Sequence, residues 1–221
     1  MNISIFDVLG PVMIGPSSSH TAGAARLAYV ARQIVDAPFT KVDFYLHGSF
    51  AKTYKGHGTD RALVAGVLGL REDDERLATS FELAKEQGIS YNFQTIELED
   101  ARENTVKMVF HLTKGGESII IGSSLGGGRI LITEVDGFAT EYTATSPAIM
   151  ITQQDSKGIV SSVTAVLAHF NINIGVMKLS RSAKGGTAFC IIETDSFIPP
   201  EVNSILCNYP QIYRVRIINC R

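Results

Sequence analysis

The sequence predicts an α+β protein in two parts: a mixed α/β part over residues 1–140, then a βαββαβ unit over residues 148–221. Three observations predict it. The chain has 221 residues, long for one compact domain and comfortable for two. Helix-period apolar stripes dominate as far as Gly88, after which short β-rich runs bounded by Gly, Asn and Asp take over. From Ala148 onward, strand-like and helix-like segments follow the order β-α-β-β-α-β. That is the ferredoxin-like layout, in which two helices cover one face of a sheet.

Taken in order, Ile3–Val8 reads as a short helix or strand leading into a turn, Gly10–Gly23. Ala24–Val35 carries Ala24, Leu27, Ala28, Ala31, Ile34 and Val35 at helical spacing, and Pro38 stops it. Lys41–His47 is rich in β-formers and predicts a strand. After the Gly48–Gly58 segment, Thr59 or Asp60 is expected to cap a helix through Ala62, Leu63, Val64, Val67 and Leu68. Glu72–Glu75 reads as a solvated turn, and Leu77–Gln87 as a charged helix ended by Gly88. Strands are expected at Tyr91–Leu98, Thr105–Leu112, Glu117–Ile121 and Arg129–Val135. Thr140–Pro147 has no clear period and marks the domain boundary. Beyond it come a strand (Ala148–Thr152), a helix (Gly158–Phe170) and a second strand (Ile172–Ser180), then a hairpin turn at Ala183–Gly186. A third strand (Ala188–Glu193), a helix opened by Pro199 and running to Leu206, and a last strand (Ile212–Ile218) complete the unit.

Composition excludes several classes. Hydrophobic residues make up 45% and charged residues 19%, which fits a packed chain rather than a disordered one. A net charge of −2, with basic residues scattered, gives no reason to expect nucleic acid. No apolar run is long enough to span a bilayer and the N-terminus has no signal-peptide pattern, so no membrane is expected and the setting is cytoplasmic. Cys190, Cys207 and Cys220 are far apart and form no C-x-x-C pair, so no metal site is expected from this chain alone.

The chemistry concentrates in two turns. Ser17, Ser18, Ser19, His20 and Thr21, flanked by Gly15 and Gly23, suit the first turn of a helix, where free backbone N–H groups can take an anion. The plainer reading is a Ser/Thr cap with a surface histidine. The second turn sets His57 between Gly56 and Gly58, again just before an apolar helix, and the two look like halves of one site. The run Gly122-Ser123-Ser124-Leu125-Gly126-Gly127-Gly128 permits close backbone approach, or is simply a flexible hairpin loop. His47, His111 and His169 fall at a strand end, in an alternating strand and near a helix end, and receive no role.

Gly10–Gly23, Gly48-Ser49 with Gly56-His57-Gly58-Thr59-Asp60, and Gly122–Gly128 together resemble the β subunit of iron–sulfur-dependent L-serine dehydratase. The C-terminal unit, with Gln154-Asp155-Ser156-Lys157-Gly158-Ile159-Val160 in its first turn, resembles an ACT regulatory domain. The resemblance covers essentially the whole chain and implies an N-terminal domain of the allosteric-substrate-binding type. It implies conversion of L-serine to pyruvate and ammonia, with a [4Fe–4S] cluster as Lewis acid whose cysteine ligands come from a separate α subunit. His57 is then the candidate base. His20 would be its proton-transfer partner or a donor to the carboxylate, and Ser17, Ser18, Ser19 and Thr21 would bind that carboxylate. A pyridoxal Schiff base on Lys52 or Lys55 is the other route to serine dehydration, but the chain is short for such an enzyme. Domains like the first part also occur in some phosphoglycerate dehydrogenases, so a non-catalytic amino-acid-sensing module is the alternative function. ACT-like units commonly dimerise and hold an amino acid near their first turn, which here points to Asp155, Gly158 and Asn173. Asp155 reads equally well as a helix cap.

Overall fold

The computed structural model describes residues 13–219; Ile3–Val8 and Cys220 lie outside them. The chain divides into two compact units, the first running to Gly137 with Glu141–Thr143, the second comprising Phe138–Thr140 and the chain from Ala144.

In the first unit, helix α1 (Gly23–Val35) buries Leu27, Ala28, Ala31 and Ile34, the stripe its spacing requires. Strand β1 (Phe39–Gly48) follows, then α2 (Ser49–Thr53), α3 (Thr59–Val67), a 3₁₀ turn at Glu75–Thr79, α4 (Ser80–Glu86) and β2 (Ser90–Thr95). β1 and β2 are parallel, with Lys41 opposite Ser90 and Leu46 opposite Thr95, so the intervening helices form a crossover. The chain then meanders through β3 (Asn104–Leu112), β4 (Glu117–Gly126), β5 (Arg129–Val135) and β6 (Phe138–Tyr142). β3 lies antiparallel beside β1, which gives the sheet order β2-β1-β3-β4-β5-β6.

Helices α1 and α3 pack at very close range. A β-carbon on Gly66 would run into the Ala25 carbonyl oxygen and the Ala28 methyl. The Arg32 guanidinium donates to the Val67 carbonyl at 2.9 Å, satisfying an end group of α3. Gly66→Val should therefore destabilise the protein by about 1–3 kcal/mol through overpacking, despite removing a helix-interior glycine. Urea unfolding measures this, and an unchanged midpoint would show that the crossing tolerates a side chain.

Several expectations are corrected. The charged segment is not one helix from Leu77 to Gln87 but a 3₁₀ turn and α4, which meet at fully buried Ser80. The Ser80 hydroxyl donates to the Arg61 carbonyl at 2.9 Å. The Gly122–Gly128 run is strand as far as Gly126, because Ser123 and Ser124 are buried on hydrogen-bond partners and only the last glycines turn. Neither Thr59 nor Asp60 caps α3. Gly58 holds that position at φ 68°, where a side chain would be strained, and Thr59 lies buried in the first turn. Strand β6 escapes the sequence reading because its buried positions include Thr140 and its alternating partners include Glu141.

The second unit runs β7 (Ala148–Gln154), α5 (Ile159–His169), β8 (Ile174–Arg181), β9 (Thr187–Thr194), α6 (Pro200–Leu206) and β10 (Ile212–Ile218). Its antiparallel sheet has the order β10-β7-β9-β8, the predicted ferredoxin-like layout. Ile149, Ile151 and Ile192 of the sheet share a core with Val163 and Leu167 of α5 and Val202 and Leu206 of α6.

Candidate functional site

Ahead of α1, Ser18–Ala22 forms a π-helical turn. Ser17 caps it, its hydroxyl accepting from the His20 N–H at 3.1 Å, and the Ser17 carbonyl accepts from both Thr21 (3.0 Å) and Ala22 (3.2 Å). Such wide turns are uncommon and tend to occur at functional positions. A β-carbon on Gly23 would collide with the Ser124 hydroxyl, so glycine is required where β4 passes the turn. Ser124 Oγ donates to the Ser19 carbonyl at 2.9 Å, and the Gly127 and Gly128 amides reach the Ser18 hydroxyl and carbonyl at 3.3 Å each. The glycine-rich end of β4 thus clamps the serine turn.

The two predicted histidines meet. Their ring centroids lie 4.9 Å apart at 44°. His20 is gripped at both nitrogens, with Nδ1 3.0 Å from Ser19 Oγ and Nε2 3.0 Å from Ser49 Oγ. Phe50 presses on it edge-to-face at 5.4 Å. His57 is exposed on its Gly-flanked turn. The Thr21 hydroxyl donates to the His57 carbonyl at 3.0 Å, tying the two turns together.

Burial, and then the neighbouring charge of His57, lower the pKa of His20. A neutral imidazole donates from one nitrogen and accepts at the other, which its two serine hydroxyls can match. The unfolded chain takes up this proton at the ordinary imidazole value and the folded chain only below it. Stability is therefore lost as pH falls through that ordinary value and levels off beneath the lowered one. In His20→Gln the fall in stability as pH drops below the ordinary imidazole value of about 6.5 should flatten in denaturant titrations. An unchanged slope would mean that His20 is not held neutral.

The four hydroxyls expected to bind a carboxylate divide. Ser18 accepts from a backbone amide and keeps a proton to donate to an anion, whereas Ser17 accepts from the His20 N–H and also lies 3.4 Å from Ser19 Oγ. Ser19 is committed to the His20 ring. Thr21, 6% exposed, spends its proton on His57 O and acts as a tie. Sequence reasoning missed Ser49 as a ring partner, although it stands in the Gly48-Ser49 pair that drew attention.

In the second unit, Asp155 caps nothing. Its carboxylate accepts from the Gly185 amide at 2.9 Å and Arg181 at 3.1 Å, and these bonds lower its pKa. Gly158 is the cap of α5, at φ 89°. Asn173 is not near them. Gln154 pairs with Thr187 at one end of β9, whereas Ile174 pairs with Thr194 at the other. Asn173 therefore stands roughly 20 Å along the sheet, bonded to Asp195. Among the described residues no three His, Cys, Asp or Glu side chains form a metal-ligand set.

A paired-histidine, hydroxyl-lined turn at the head of a helix, in a chain that also carries a ferredoxin-like unit, defines a class of chain whose first unit offers hydrogen-bond donors of the kind that suit an anion. The family model described as serine dehydratase beta chain matches residues 4–115. The chain is 43% identical over 204 residues to the "L-serine dehydratase, beta chain" of Peptoniphilus asaccharolyticus, covering 92% of each. It is 42% identical over 212 residues to the "Probable L-serine dehydratase, beta chain" of Bacillus subtilis (strain 168), covering 96% of each. A "D-3-phosphoglycerate dehydrogenase" of the same Bacillus strain is 26% identical over 89% of this chain but only 37% of its own. The solved ACT domain of a GTP pyrophosphokinase from Chlorobium tepidum aligns with 33% of this chain and 95% of its own, at 22% identity and a TM-score of 0.28. The chain belongs to the serine dehydratase beta chain family.

Proposed function

We propose that this chain is the β subunit of an L-serine dehydratase, an L-serine ammonia-lyase that yields pyruvate and ammonia together with an α subunit. The observation that carries the reading is the histidine pair, one ring clamped between two serines and the other exposed 4.9 Å away. Full-length relatives bearing the dehydratase beta-chain name support it over a sensing module, since the matched dehydrogenase is covered only to 37%.

Exposed His57 takes the α-proton of L-serine. His20, kept neutral by burial and its serine partners, places no second cation beside the charge that then develops on His57. Ser18 donates to the substrate carboxylate. Loss of the α-proton and the β-hydroxyl leaves an enamine, which tautomerises to an imine and hydrolyses to pyruvate and ammonia. The [4Fe–4S] cluster, held by α-subunit cysteines, would supply Lewis acidity at the β-hydroxyl. The described residues of this chain do not fit such a cluster. Cys190 is buried with its thiol pushed up to about 11, and no ligand set surrounds it. The test is anaerobic co-purification with the α partner, followed by assay of pyruvate from L-serine. An intact complex that makes no pyruvate would sink the reading.

The second unit is read as an ACT-type domain that pairs with a second copy. Edge strand β8 leaves Val176 (53%), Met177 (36%) and Leu179 (46%) exposed, an apolar edge suited to strand pairing. Leu179→Asp should lower the sedimentation coefficient of the chain towards that of a monomer, and an unshifted boundary would assign association elsewhere.

A further inference from the structure

His20 has no free nitrogen. Ser19 Oγ lies 3.0 Å from Nδ1 and Ser49 Oγ 3.0 Å from Nε2, so the ring reaches any other group only through a serine hydroxyl. The His57 ring stands beside it, 4.9 Å between centroids, and among the described residues no hydrogen bond joins the two. Ser49 is fixed by its own backbone. Its amide donates to the Glu103 carbonyl at 2.6 Å, and its carbonyl accepts from the Thr53 hydroxyl at 2.8 Å. Gly48 before it sits at φ 61° and ψ −127°, backbone strain of the kind that clusters at functional sites.

The two hydroxyls are not equivalent. A neutral imidazole donates from one nitrogen and accepts at the other, and its neighbours decide which. Ser17 Oγ accepts the His20 N–H, and the acceptor in reach of its remaining proton is Ser19 Oγ, at a long 3.4 Å. Ser19 also borders a hollow with Arg102, Asn104 and Arg129, where two guanidiniums, which only donate, outnumber the Glu103 carboxylate. Donors thus gather on the Ser19 oxygen, and its own proton goes to Nδ1. Ser49 Oγ has the ring as its one partner among the described residues and is free to accept. We propose that Ser49 is a positioning residue for His20: it accepts the Nε2 proton, fixes that tautomer, and is left with its own hydroxyl proton as the donor on that side of the ring.

The tautomer is read from ring ¹⁵N–¹H correlation spectra of the isotope-labelled full-length chain at about pH 8, above the ordinary imidazole value of about 6.5. The parent should carry the His20 proton on Nε2. Ser49→Ala removes its acceptor. An unmet donor is tolerated less well than an unmet acceptor, so the proton should move to Nδ1, where Ser19 can accept it. Ser19→Ala should leave it on Nε2, as should Ser49→Thr, which keeps a hydroxyl. The backbone bonds of Ser49 survive in both variants at that position, so melting temperatures should stay parental.

These spectra need no partner and do not depend on the dehydratase reading. The kinetic consequence does rest on it. In the complex with the α subunit, Ser49→Ala should lower kcat by about tenfold and Ser49→Thr should restore it. A parent proton on Nδ1, or one that stays on Nε2 in Ser49→Ala, would overturn the assignment, and so would a parental kcat in Ser49→Ala. A parent complex that makes no pyruvate would instead overturn the dehydratase reading and leave the tautomer standing.

Discussion

His57→Ala should lower kcat for L-serine by about 10²- to 10⁴-fold in the complex with the α subunit, while KM changes little. The side chain is exposed on a turn between glycines, so truncation opens no cavity in the core. The turn itself is held by backbone groups, the His57 N–H on the Thr53 carbonyl at 3.3 Å and the His57 carbonyl on Thr21, and none of these is lost. Melting temperature and co-purification with the partner should therefore match the parent. A kcat near the parent's would remove His57 as the base. His20→Ala makes an informative contrast. It leaves the Ser19 and Ser49 hydroxyls facing a void, so it should affect both kcat and stability.

Gly48→Ala should be the most damaging small substitution in the first unit, lowering stability by about 3 kcal/mol or more. Gly48 closes β1 at φ 61° and ψ −127°, a conformation essentially reserved for glycine. A β-carbon there would also strike the Glu103 carbonyl, which is backbone and cannot swing aside. That carbonyl receives the Ser49 amide, and Ser49 holds His20, so the strain falls on the site as well. Denaturant unfolding gives the stability, and assay of the surviving folded fraction gives the activity. A variant with parental values in both would show that the 103–105 segment yields freely.

Much of this was legible in the residues, for identifiable reasons. The α1 stripe and the βαββαβ order follow from local periodicity, and local periodicity survives into the fold. The meeting of His20 and His57 was readable because each precedes a helix in a Gly-rich turn, and the two helices, α1 and α3, pack side by side. What escaped depends on long-range register. Asn104 and Arg102 reach the serine turn only because Gly48 pairs with Asn104 when β3 lies along β1. Asn173 misled because closeness in sequence to a strand's start says nothing about its far end. β8 carries the chain the length of the sheet before it reaches the Asp155 turn. Thr21 misled because a hydroxyl in a Gly-flanked turn looks the same whether it faces solvent or a neighbouring carbonyl.

The placing of β1 between β2 and β3 also sets the order in which the first unit assembles. β3, β4 and β5 are joined by short connections and can zip as hairpins as soon as they are made. β1 must wait for partners far along the chain, since Lys41 pairs with Ser90 on one side and with His111 on the other. Closing those long loops costs chain entropy before any contact offsets it, so docking of β1 is the slow event. The Glu103 carbonyl that receives the Ser49 amide arrives with β3, so the backbone support of the Ser49 grip on His20 is completed only at that late step. Pulse-labelled hydrogen exchange should accordingly protect amides of β3–β5 ahead of those of β1, and simultaneous protection would show that the sheet closes as one unit.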